Sequence, residues 1–437
     1  MTHQDRPATK SKRFFKLAGM TASVAGGYAR SRVKGLFLSK ESAREEFERH
    51  LQQAGTRVTK TLGELKGAVM KVGQMASVAA DILPPEIANA LSKLQRQAPP
   101  MAFEVIAEQI KAEFGAGHEA LFARFDREPY ASASIGQVHR ARTNSGREVI
   151  CKIQYPGVDA AVDSDLRHLK ILLRASGLAR INRKAMNGTF EELRERLHEE
   201  LDYCNEADNV RMFAKYHKKH PFVTIPKVVG ERSSKRVLTL TLETGDSLEE
   251  LDRANYSQKE RDRLGKNLWT LMSGQIFELG AIHADPNPAN FAFRRDGRIV
   301  IYDFGCIKKI PREIVDSYSD LIVASVYEDY EAVENAVRKL GIRNLDGPPV
   351  EHSYYKVWRD CIALPFLANP EFDFGKATLH QEVLKLLPGT LKYLPSFQPA
   401  KDLIFLNRTV AGHYANLLKL RARLPILSLL KQYVSHL

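Results

Sequence analysis

The sequence predicts an α+β fold, and three features support that prediction. Residues 131–154 predict a strand hairpin, because strand-forming residues flank the turn Thr143-Asn144-Ser145-Gly146 on both sides. Helical stretches precede and follow it, with apolar residues recurring every three or four positions. A second, shorter hairpin separates two acidic motifs near residues 285 and 303. Strands and helices grouped in separate runs are typical of this class.

Length and composition indicate a globular protein of more than one domain. The chain has 437 residues, of which 44% are hydrophobic and 27% charged, and both fractions are ordinary. The four cysteines are far apart in the sequence and form no C-x-x-C pair. That spacing favours a reducing compartment and argues against a structural zinc site. We therefore expect a cytoplasmic protein.

The net charge of +13 is concentrated at the two ends of the chain. Residues 1–40 carry nine Lys or Arg and one Asp, residues 401–437 carry six and one, and the 360 residues between them are neutral overall. Basic ends suit an anionic surface such as phospholipid. No nucleic-acid partner is expected, because the sequence lacks stacking aromatics at regular intervals and nucleic-acid motifs. A solvated tail that only aids solubility remains the alternative.

One stretch near the start combines basic and apolar residues. Phe14–Ala29 is too short to span a bilayer, which needs about 20 apolar residues, and it predicts an interfacial helix instead. No other window of the sequence reaches transmembrane length. Any membrane contact is therefore expected to be peripheral.

Two acidic motifs carry the strongest chemical signal. His283-Ala284-Asp285-Pro286-Asn287-Pro288-Ala289-Asn290 has the form H-x-D-x-x-x-x-N, and Asp303-Phe304-Gly305 follows it. Alone, each motif is more often a turn or a cap, but together they have the spacing of a kinase catalytic loop. Phosphoryl transfer needs metal ions on the phosphates and a carboxylate near the attacking oxygen. We expect Asn290 and Asp303 to bind Mg²⁺, and Asp285 to act as base or to position the nucleophile.

A lysine on the second strand of the hairpin is the candidate phosphate ligand. Lys152 alternates with Cys151 and its apolar neighbours, and a lysine in such a strand is costly unless it has a partner. The segment Thr189-Phe190-Glu191-Glu192 has the pattern of a capping box that opens a helix, and Glu200 borders the apolar stripe of that helix. We therefore expect an ion pair between Lys152 and Glu200. The alternative is a lysine on an exposed sheet face.

The remaining elements complete a second, mostly helical region. Val237–Leu242 is predicted as a strand, and Glu243-Thr244-Gly245 follows as a hinge whose backbone could bind adenine. Residues 257–279 are predicted as an amphipathic helix. The chain after Gly305 is predicted to be helical for most of its length.

Three features separate this chain from ordinary protein kinases. Ala131-Ser132-Ala133-Ser134-Ile135-Gly136 stands where a G-x-G-x-x-G loop would lie. No Ala-Pro-Glu follows Asp-Phe-Gly, and Pro311 soon opens a helix, so little chain is left to hold a peptide. Lys152 and Glu200 are 48 positions apart, which leaves room for a helical insert near Val158–Arg180.

The chain resembles the UbiB/AarF family of atypical kinase-like proteins, which is tied to ubiquinone biosynthesis. Besides the two acidic motifs, the matching segments are the KxGQ signature Lys71-Val72-Gly73-Gln74, the alanine-rich nucleotide loop Tyr130–His139, the lysine strand Cys151–Gly157, and the acidic helix with Glu200-Leu201-Asp202-Tyr203 and Glu206-Ala207. The motifs cover about residues 60–310. The segment Arg408–Tyr414 looks like the soluble-tailed mitochondrial-type branch of the family.

The resemblance implies a protein-kinase-like bilobal fold whose N-terminal KxGQ helices cover the place where a protein kinase docks its peptide. Lys71 would point into the nucleotide cleft and could share Glu200 or Glu206 with Lys152. The resemblance also assigns roles. The catalytic set would be Asp285, Lys152, Glu200 and Lys71, the nucleotide ligands Ala131, Ser132, Ala133, Ser134, Gly136, Lys152, Glu243 and Gly245, and the metal ligands Asn290 and Asp303.

Four segments follow from this comparison. Residues 1–40 would form a basic N-terminal segment, a candidate for membrane-surface contact, and residues 41–118 a helical KxGQ extension. Residues 119–245 would form a kinase-like N-lobe with a helical insert. Residues 246–437 would form a helical kinase-like C-lobe.

Three functions are open at this point. The first is an atypical kinase or ATPase that uses Mg-ATP and supports ubiquinone or related isoprenoid lipid biosynthesis, peripheral to the inner membrane. Its partners would be ATP or ADP, an anionic membrane surface or isoprenoid lipid, and ubiquinone biosynthesis proteins. The second is a protein kinase acting in trans, and the missing peptide platform counts against it. The third is a nucleotide-sensing scaffold without turnover, against which the intact set Asp285, Asn290 and Asp303 argues.

Overall fold

The computed structural model describes residues 100–437 except Ser134, 176–182 and 368–369, together with nine isolated helical positions before residue 54. Apart from those positions, the predictions for the basic segment 1–40, for the extension before residue 100 and for Ser134 fall outside the described residues. Lys71 and its KxGQ motif are among them.

The chain divides into two compact units, and each mixes helices with strands as the α+β prediction requires. Unit 1 comprises Met1–Asp208 and Lys227–Leu242. Unit 2 comprises Asn209–Pro226 and Glu243–Leu437.

Unit 1 contains an antiparallel sheet, with helices before its first strand and between its last two strands. Its described elements are α1 Phe103–Phe114, α2 His118–Leu121, β1 Phe122–Phe125, β2 Ala131–Ser132, β3 Gly136–Thr143, β4 Glu148–Gln154, α3 Val158–Ala175, α4 Arg183–Glu200, the first turns of α5 Tyr203–His217, a 3-10 turn Gly230–Arg232, and β6 Val237–Thr241.

The sheet of unit 1 confirms the hairpin predicted from the sequence. Its strands lie in the order β1-β3-β4-β6, with β2 paired to β3. In the central hairpin, Gly136 lies opposite Gln154 at one end and Arg142 opposite Glu148 at the other. Gly146 closes the turn with a φ of +82°, which a residue without Cβ adopts at no steric cost. The strand prediction for Val237–Leu242 and the helical insert after Val158 are confirmed as β6 and α3.

The helix boundaries after the insert differ from the sequence prediction. The capping-box pattern predicts a helix that opens at Thr189, but α4 begins at Arg183 and continues through that residue to Glu200. A separate helix, α5, then begins at Tyr203. Asp202 precedes it, and its Oδ1 accepts a hydrogen bond from the Cys204 N–H at 2.9 Å. An aspartate at this place satisfies a backbone donor that lacks a partner within the helix.

Unit 2 is mostly helical, with three small sheets. Its described elements after α5 are β5 Val223–Thr224, α6 Gln258–Gly274 with a wide turn Gln275–Leu279, β7 Ala281–His283, a 3-10 turn Pro288–Asn290, β8 Phe291–Phe293, β9 Ile299–Ile301, β10 Ile307–Lys309, α7 Arg312–Val326, α8 Tyr330–Lys339, α9 His352–Ile362, α10 Leu364–Leu367, β11 Phe372–Asp373, a 3-10 turn Phe374–Lys376, α11 Leu379–Thr390, a 3-10 segment Leu391–Ser396, α12 Lys401–Leu420, β12 Arg423–Leu424, and α13 Ile426–Leu430.

Helix α6 is the predicted amphipathic helix and supports the core of unit 2. It begins after Ser257, whose side chain accepts a hydrogen bond from the Glu260 N–H while the Glu260 carboxylate accepts one from the Ser257 N–H. Leu264 and Leu268 are fully buried on its inner face. The helix and its wide last turn end at Gly280, which has a φ of +61°.

Two of the short sheets of unit 2 lie next to the acidic motifs. β5 pairs with β9 in parallel and β8 with β9 antiparallel, so the hairpin predicted between the two motifs is confirmed. β10 pairs with β7. In the part of the chain that the structure describes, no helix combines the length and the apolar character needed to cross a bilayer.

Candidate active site

Lys152 of unit 1 lies in a buried ion pair. Its Nζ donates to both carboxylate oxygens of Glu206, at 2.8 and 3.0 Å, and the two side chains are 11% and 4% exposed. Burial of a lone ammonium would be strongly unfavourable, so the carboxylate stabilises the charged lysine in this place. The lysine therefore does not lie on an exposed sheet face, which was the alternative.

The structure corrects the expected partner of Lys152 from Glu200 to Glu206. Glu200 is the last residue of α4, and the break at Leu201-Asp202 starts a new helix direction before Glu206 follows. The sequence prediction treats this stretch as one helix, which places Glu200 rather than Glu206 beside the buried stripe. Glu206 is predicted as a partner only by the family resemblance. The signal for the break is Asp202, a good residue for a helix start.

Further contacts fix the chain around this ion pair. Gln154, two residues after the lysine, donates from Nε2 to the Leu201 carbonyl at 2.9 Å. The Tyr203 N–H donates to the carbonyl of Lys235 at 3.0 Å. The ammonium of Lys152 also lies 5.1 Å from the centre of the Tyr203 ring. The strand and the start of α5 are thus held together on both sides of the lysine.

The alanine-rich loop connects the antiparallel strands β2 and β3. Ala131 and Ser132 pair with Val138 and Gln137, and both loop residues are exposed. The Ala133 N–H donates to the Gly136 carbonyl at 3.0 Å. Nucleotide binding by these exposed positions stays a prediction.

Gly136 is required by the close approach of two strands. A Cβ at this residue would lie 2.1 Å from the carbonyl oxygen of Ile153, which belongs to the strand that carries the lysine. No real side chain fits at that distance.

A buried polar group anchors the strand that follows the loop. Gln137 is fully buried and donates from Nε2 to His139 Nε2 at 2.8 Å, while its Oε1 accepts from the Met101 N–H at 2.9 Å. His139 Nδ1 therefore carries the proton and donates to the Asp126 carbonyl at 2.8 Å. Burial lowers the pKa of His139, which agrees with a neutral ring.

The two acidic motifs of unit 2 meet at one end of the β8–β9 hairpin. Phe291 pairs with Ile301, and the Tyr302 N–H donates to the Asn290 carbonyl at 3.0 Å. Asn290 directly precedes one strand and Asp303 follows the other by two residues. Antiparallel pairing therefore brings both predicted metal ligands to the same edge.

Asn290 is oriented by the other residue of its motif. Its Nδ2 donates to the Asp285 carboxylate at 2.9 Å and to the Asp285 carbonyl at 3.2 Å. With the amide nitrogen bound to Asp285, the amide oxygen is the atom that could bind a cation.

Asp303 is held by its neighbours in two ways. Its Oδ1 accepts a hydrogen bond from the Gly305 N–H at 2.8 Å. Its backbone carbonyl contacts Nε2 of His283. His283 is 1% exposed, and its backbone N–H donates to Gln275 Oε1 at 3.0 Å. His283, which belongs to the first motif, thus contacts the second motif directly. The sequence pattern includes this histidine but does not reveal the contact.

The chain after the second motif is tied down as a strand. β10 pairs with β7 from Ile307 opposite His283 to Lys309 opposite Ala281, and the Ala284 N–H donates to the Cys306 carbonyl at 2.8 Å. Helix α7 begins at Arg312, after Pro311 as predicted. This segment is short, and its strand is paired with β7. That agrees with the prediction that little chain remains for a peptide platform.

The predicted hinge residues make structural contacts. Glu243 pairs with Arg294 at 2.9 Å. Gly245 lies against β8, since a Cβ there would be 3.0 Å from Ala292 Cβ and 3.1 Å from the Phe293 carbonyl. The glycine is therefore explained by packing, and its role in binding adenine stays a prediction.

The donor set at the hairpin end fits magnesium. Mg²⁺ prefers oxygen ligands and is usually held by one or two protein carboxylates together with waters and substrate phosphates. An amide oxygen of Asn290 and a carboxylate of Asp303 meet that requirement. Within the described ranges, no cluster of three or more His, Cys, Asp or Glu side chains could hold a metal ion by itself.

Comparison with known families decides the assignment. The model of the ABC1 atypical kinase-like domain matches residues 93–337, more than half of the chain. The chain belongs to the ABC1 atypical kinase-like family. The predicted membership of the UbiB/AarF group, the kinase-like α+β fold and the class of atypical kinase are confirmed at this level.

Individual relatives of this ABC1 chain agree with the family match. A Dictyostelium discoideum protein named "Probable serine/threonine-protein kinase abkA" is 27% identical over 96% of this chain and 78% of its own length. A Schizosaccharomyces pombe protein named "Atypical kinase COQ8, mitochondrial" is 28% identical over 98% of this chain and 70% of its own length. Among solved structures, Rv3197 of Mycobacterium tuberculosis, in complex with erythromycin, has 29% identity and a TM-score of 0.65 over 91% of this chain and 99% of that one.

Proposed function

We propose that this ABC1 protein uses Mg-ATP as an atypical kinase or ATPase, and that it supports the synthesis of ubiquinone or a related isoprenoid lipid at a membrane surface. The observation that carries the proposal is the 2.9 Å hydrogen bond from the Asn290 amide to the Asp285 carboxylate, at the hairpin end that also carries Asp303. It occupies the amide nitrogen of Asn290 and leaves the amide oxygen available for the cation that Asp303 would also bind.

Each residue has a definite task in this proposal. Lys152, kept charged by Glu206, would bind phosphate oxygens, and the exposed positions Ala131 and Ser132 would contact the nucleotide. Asn290 and Asp303 would hold the cation, which when bound neutralises phosphate charge. Asp285 would orient the attacking oxygen or accept its proton. For Lys71 the proposal rests on the family resemblance alone, and the task expected of Glu200 passes to Glu206.

The lipid part of the proposal is supported by the relatives and by the charge. The Schizosaccharomyces pombe relative carries the name COQ8 and the word mitochondrial, and the present chain concentrates its positive charge at its ends. Basic segments are attracted to anionic lipid, and that attraction falls with salt. A location peripheral to the inner membrane, with ubiquinone biosynthesis proteins as partners, is part of the same proposal.

The catalytic part is tested by ATP hydrolysis of the purified full chain with Mg²⁺ and anionic liposomes. Asp303→Asn should abolish hydrolysis, because it removes a charged ligand of the metal. Asp296→Asn is the matched control, since Asp296 lies in the turn of the same hairpin and pairs only with its neighbour Arg298 among the contacts seen. Hydrolysis by Asp303→Asn at the wild-type rate would contradict the site.

The membrane part has its own test. Deleting residues 1–40 should weaken binding to anionic liposomes in a salt-sensitive way, while hydrolysis without liposomes persists. Unchanged liposome binding would refute the role of that segment.

Transfer of phosphate to another protein is the second candidate. The name of the Dictyostelium relative favours it. Incubation with labelled ATP and a protein extract decides, because an enzyme acting in trans labels other proteins, whereas an ATPase releases labelled phosphate. Nucleotide binding without either product would instead favour a sensing scaffold.

A further inference from the structure

Helix α12 lies against the loop that carries Asp285, far from it in the sequence. Three of its residues, Arg408, Gly412 and Asn416, follow one another at intervals of four and so share one face of the helix. All three contact the segment Asp285-Pro286. The family assignment gives these residues no task.

The two inner contacts set the distance between helix and loop. Asn416 is 2% exposed and donates from Nδ2 to the Pro286 carbonyl at 2.9 Å. A Cβ at Gly412 would lie 2.1 Å from Pro286 Cγ, so only glycine permits this approach. The ring of His413, on the same side, packs edge-on against Phe291 at 5.4 Å. These contacts hold helix α12 closely against the loop.

The outer contact reaches the carboxylate itself. Arg408 Nη2 lies 3.4 Å from Asp285 Oδ1, while Asn290 holds Oδ2 of the same group at 2.9 Å. The two donors bind different oxygens and thus restrict rotation of the carboxylate about its last bond. The side chains of Arg408 and Asp285 are 35% and 26% exposed, so the pair lies at the edge of the site rather than in the core.

We propose that Arg408 is a positioning residue that fixes the orientation of the Asp285 carboxylate, with helix α12 as its support. The inference rests on the proposed function, because it gives Asp285 a place in phosphoryl transfer. Misplacement of a reacting group by about 1 Å can lower a rate about 100-fold, so a contact of this kind has catalytic value without contributing much to stability.

The kinetic test uses the full chain with Mg-ATP. Arg408→Ala should lower kcat about 10-fold to 100-fold while KM for ATP changes less than about two-fold, since the arginine does not hold the nucleotide. Arg408→Lys, or added guanidinium with Arg408→Ala, should restore part of kcat. Arg421→Ala is the matched control: it removes an arginine from an aspartate pair at the end of the same helix, with Asp252 at 3.2 Å, and should leave kcat unchanged.

A double mutant separates positioning from a general structural effect. If Arg408 acts through Asp285, adding Arg408→Ala to Asp285→Asn should cause no further loss of rate. Multiplying losses, or a melting temperature that falls together with the rate in both Arg408 variants, would overturn the inference.

Hydrogen exchange distinguishes this inference from the proposed function. Exchange in the peptide 284–291 should rise in Arg408→Ala and stay at the wild-type level in Arg421→Ala, whether or not the protein turns over ATP. A wild-type protein without turnover would defeat the proposed function alone. Unchanged exchange in Arg408→Ala would defeat the positioning role.

Discussion

Lys152 and Glu206 form a buried two-point ion pair, with Nζ 2.8 and 3.0 Å from the carboxylate oxygens. The lysine comes from a central strand and the glutamate from the first turn of the helix that begins at Tyr203. Removing one partner of such a pair leaves an uncompensated charge in a largely buried place.

The first prediction compares the two glutamates. Glu206→Gln should lower the free energy of unfolding by about 3–5 kcal/mol and weaken Mg-ATP binding, because Lys152 loses its counter-charge. Glu200→Gln should cost less on both measurements. Urea unfolding and nucleotide titration of the two variants check this, and a loss in Glu200→Gln as large as that in Glu206→Gln would contradict the prediction.

The second prediction concerns the glycine after the alanine-rich loop. Gly136→Ala should lower the free energy of unfolding by about 1–3 kcal/mol, because the added Cβ meets the Ile153 carbonyl at 2.1 Å and backbone in a central ladder yields little. Gly230→Ala, where no atom lies within 4 Å of the new Cβ, is the control in the same unit. Thermal unfolding measures both. A Gly136 variant as stable as the control would contradict the close approach of the strands.

The third prediction concerns pH. Burial, with a smaller contribution from nearby His283, lowers the pKa of His413 to about 3. Its unfolded value is about 6.5, so below that pH the unfolded chain binds a proton that the folded chain does not. The contribution to stability is complete above about pH 6.5 and is lost as the pH falls towards 3.

The measurement is urea unfolding at pH 7.5 and 5.5. His413→Leu should lose about 1.4 kcal/mol less than the wild type between these values. His352→Leu, at an exposed histidine, is the control for the substitution itself. Identical slopes for His413→Leu and wild type would mean that the ring is not buried neutral.

The fourth prediction compares two arginines that bind the same carboxylate. Arg343 is 3% exposed, and it donates to Glu334 at 3.0 Å and to the Pro348 carbonyl at 3.3 Å. Arg343→Met should cost about 3–5 kcal/mol in the free energy of unfolding. Arg338 binds Glu334 one turn away but is 46% exposed, so Arg338→Met should cost less than about 1 kcal/mol. Chemical unfolding ranks them, and the reverse order would refute the buried network.

The sequence predicts the elements whose cause is local. The hairpin around Gly146 follows from its turn residues, and the helix that begins after Ser257 follows from an apolar repeat within one short stretch. The two acidic motifs are also local, and the pairing of β8 with β9 follows from the short distance between them. These parts of the fold agree with the prediction, and the chemical roles of the motif residues stay a prediction.

The parts that differ depend on contacts between distant segments or on a subtle break. The partner of Lys152 changes because the chain interrupts its helix at Asp202, where one side chain caps a new start. The capping-box pattern at Thr189 predicts a helix start, but Thr189 lies inside the helix Arg183–Glu200. Packing there overrides the local preference. Arg408 lies 123 positions from Asp285, and no spacing rule connects residues so far apart.

The burial of Phe304 has a consequence for inhibitor design. Its ring is fully buried between Phe213 and His283, its carbonyl accepts a hydrogen bond from Asn209 at 3.0 Å, and the strand after it is paired with β7. A compound that needs this phenyl ring expelled would have to break the ladder and the core together. Inhibitors of this protein are therefore best sought among molecules that leave the Phe304 ring in place.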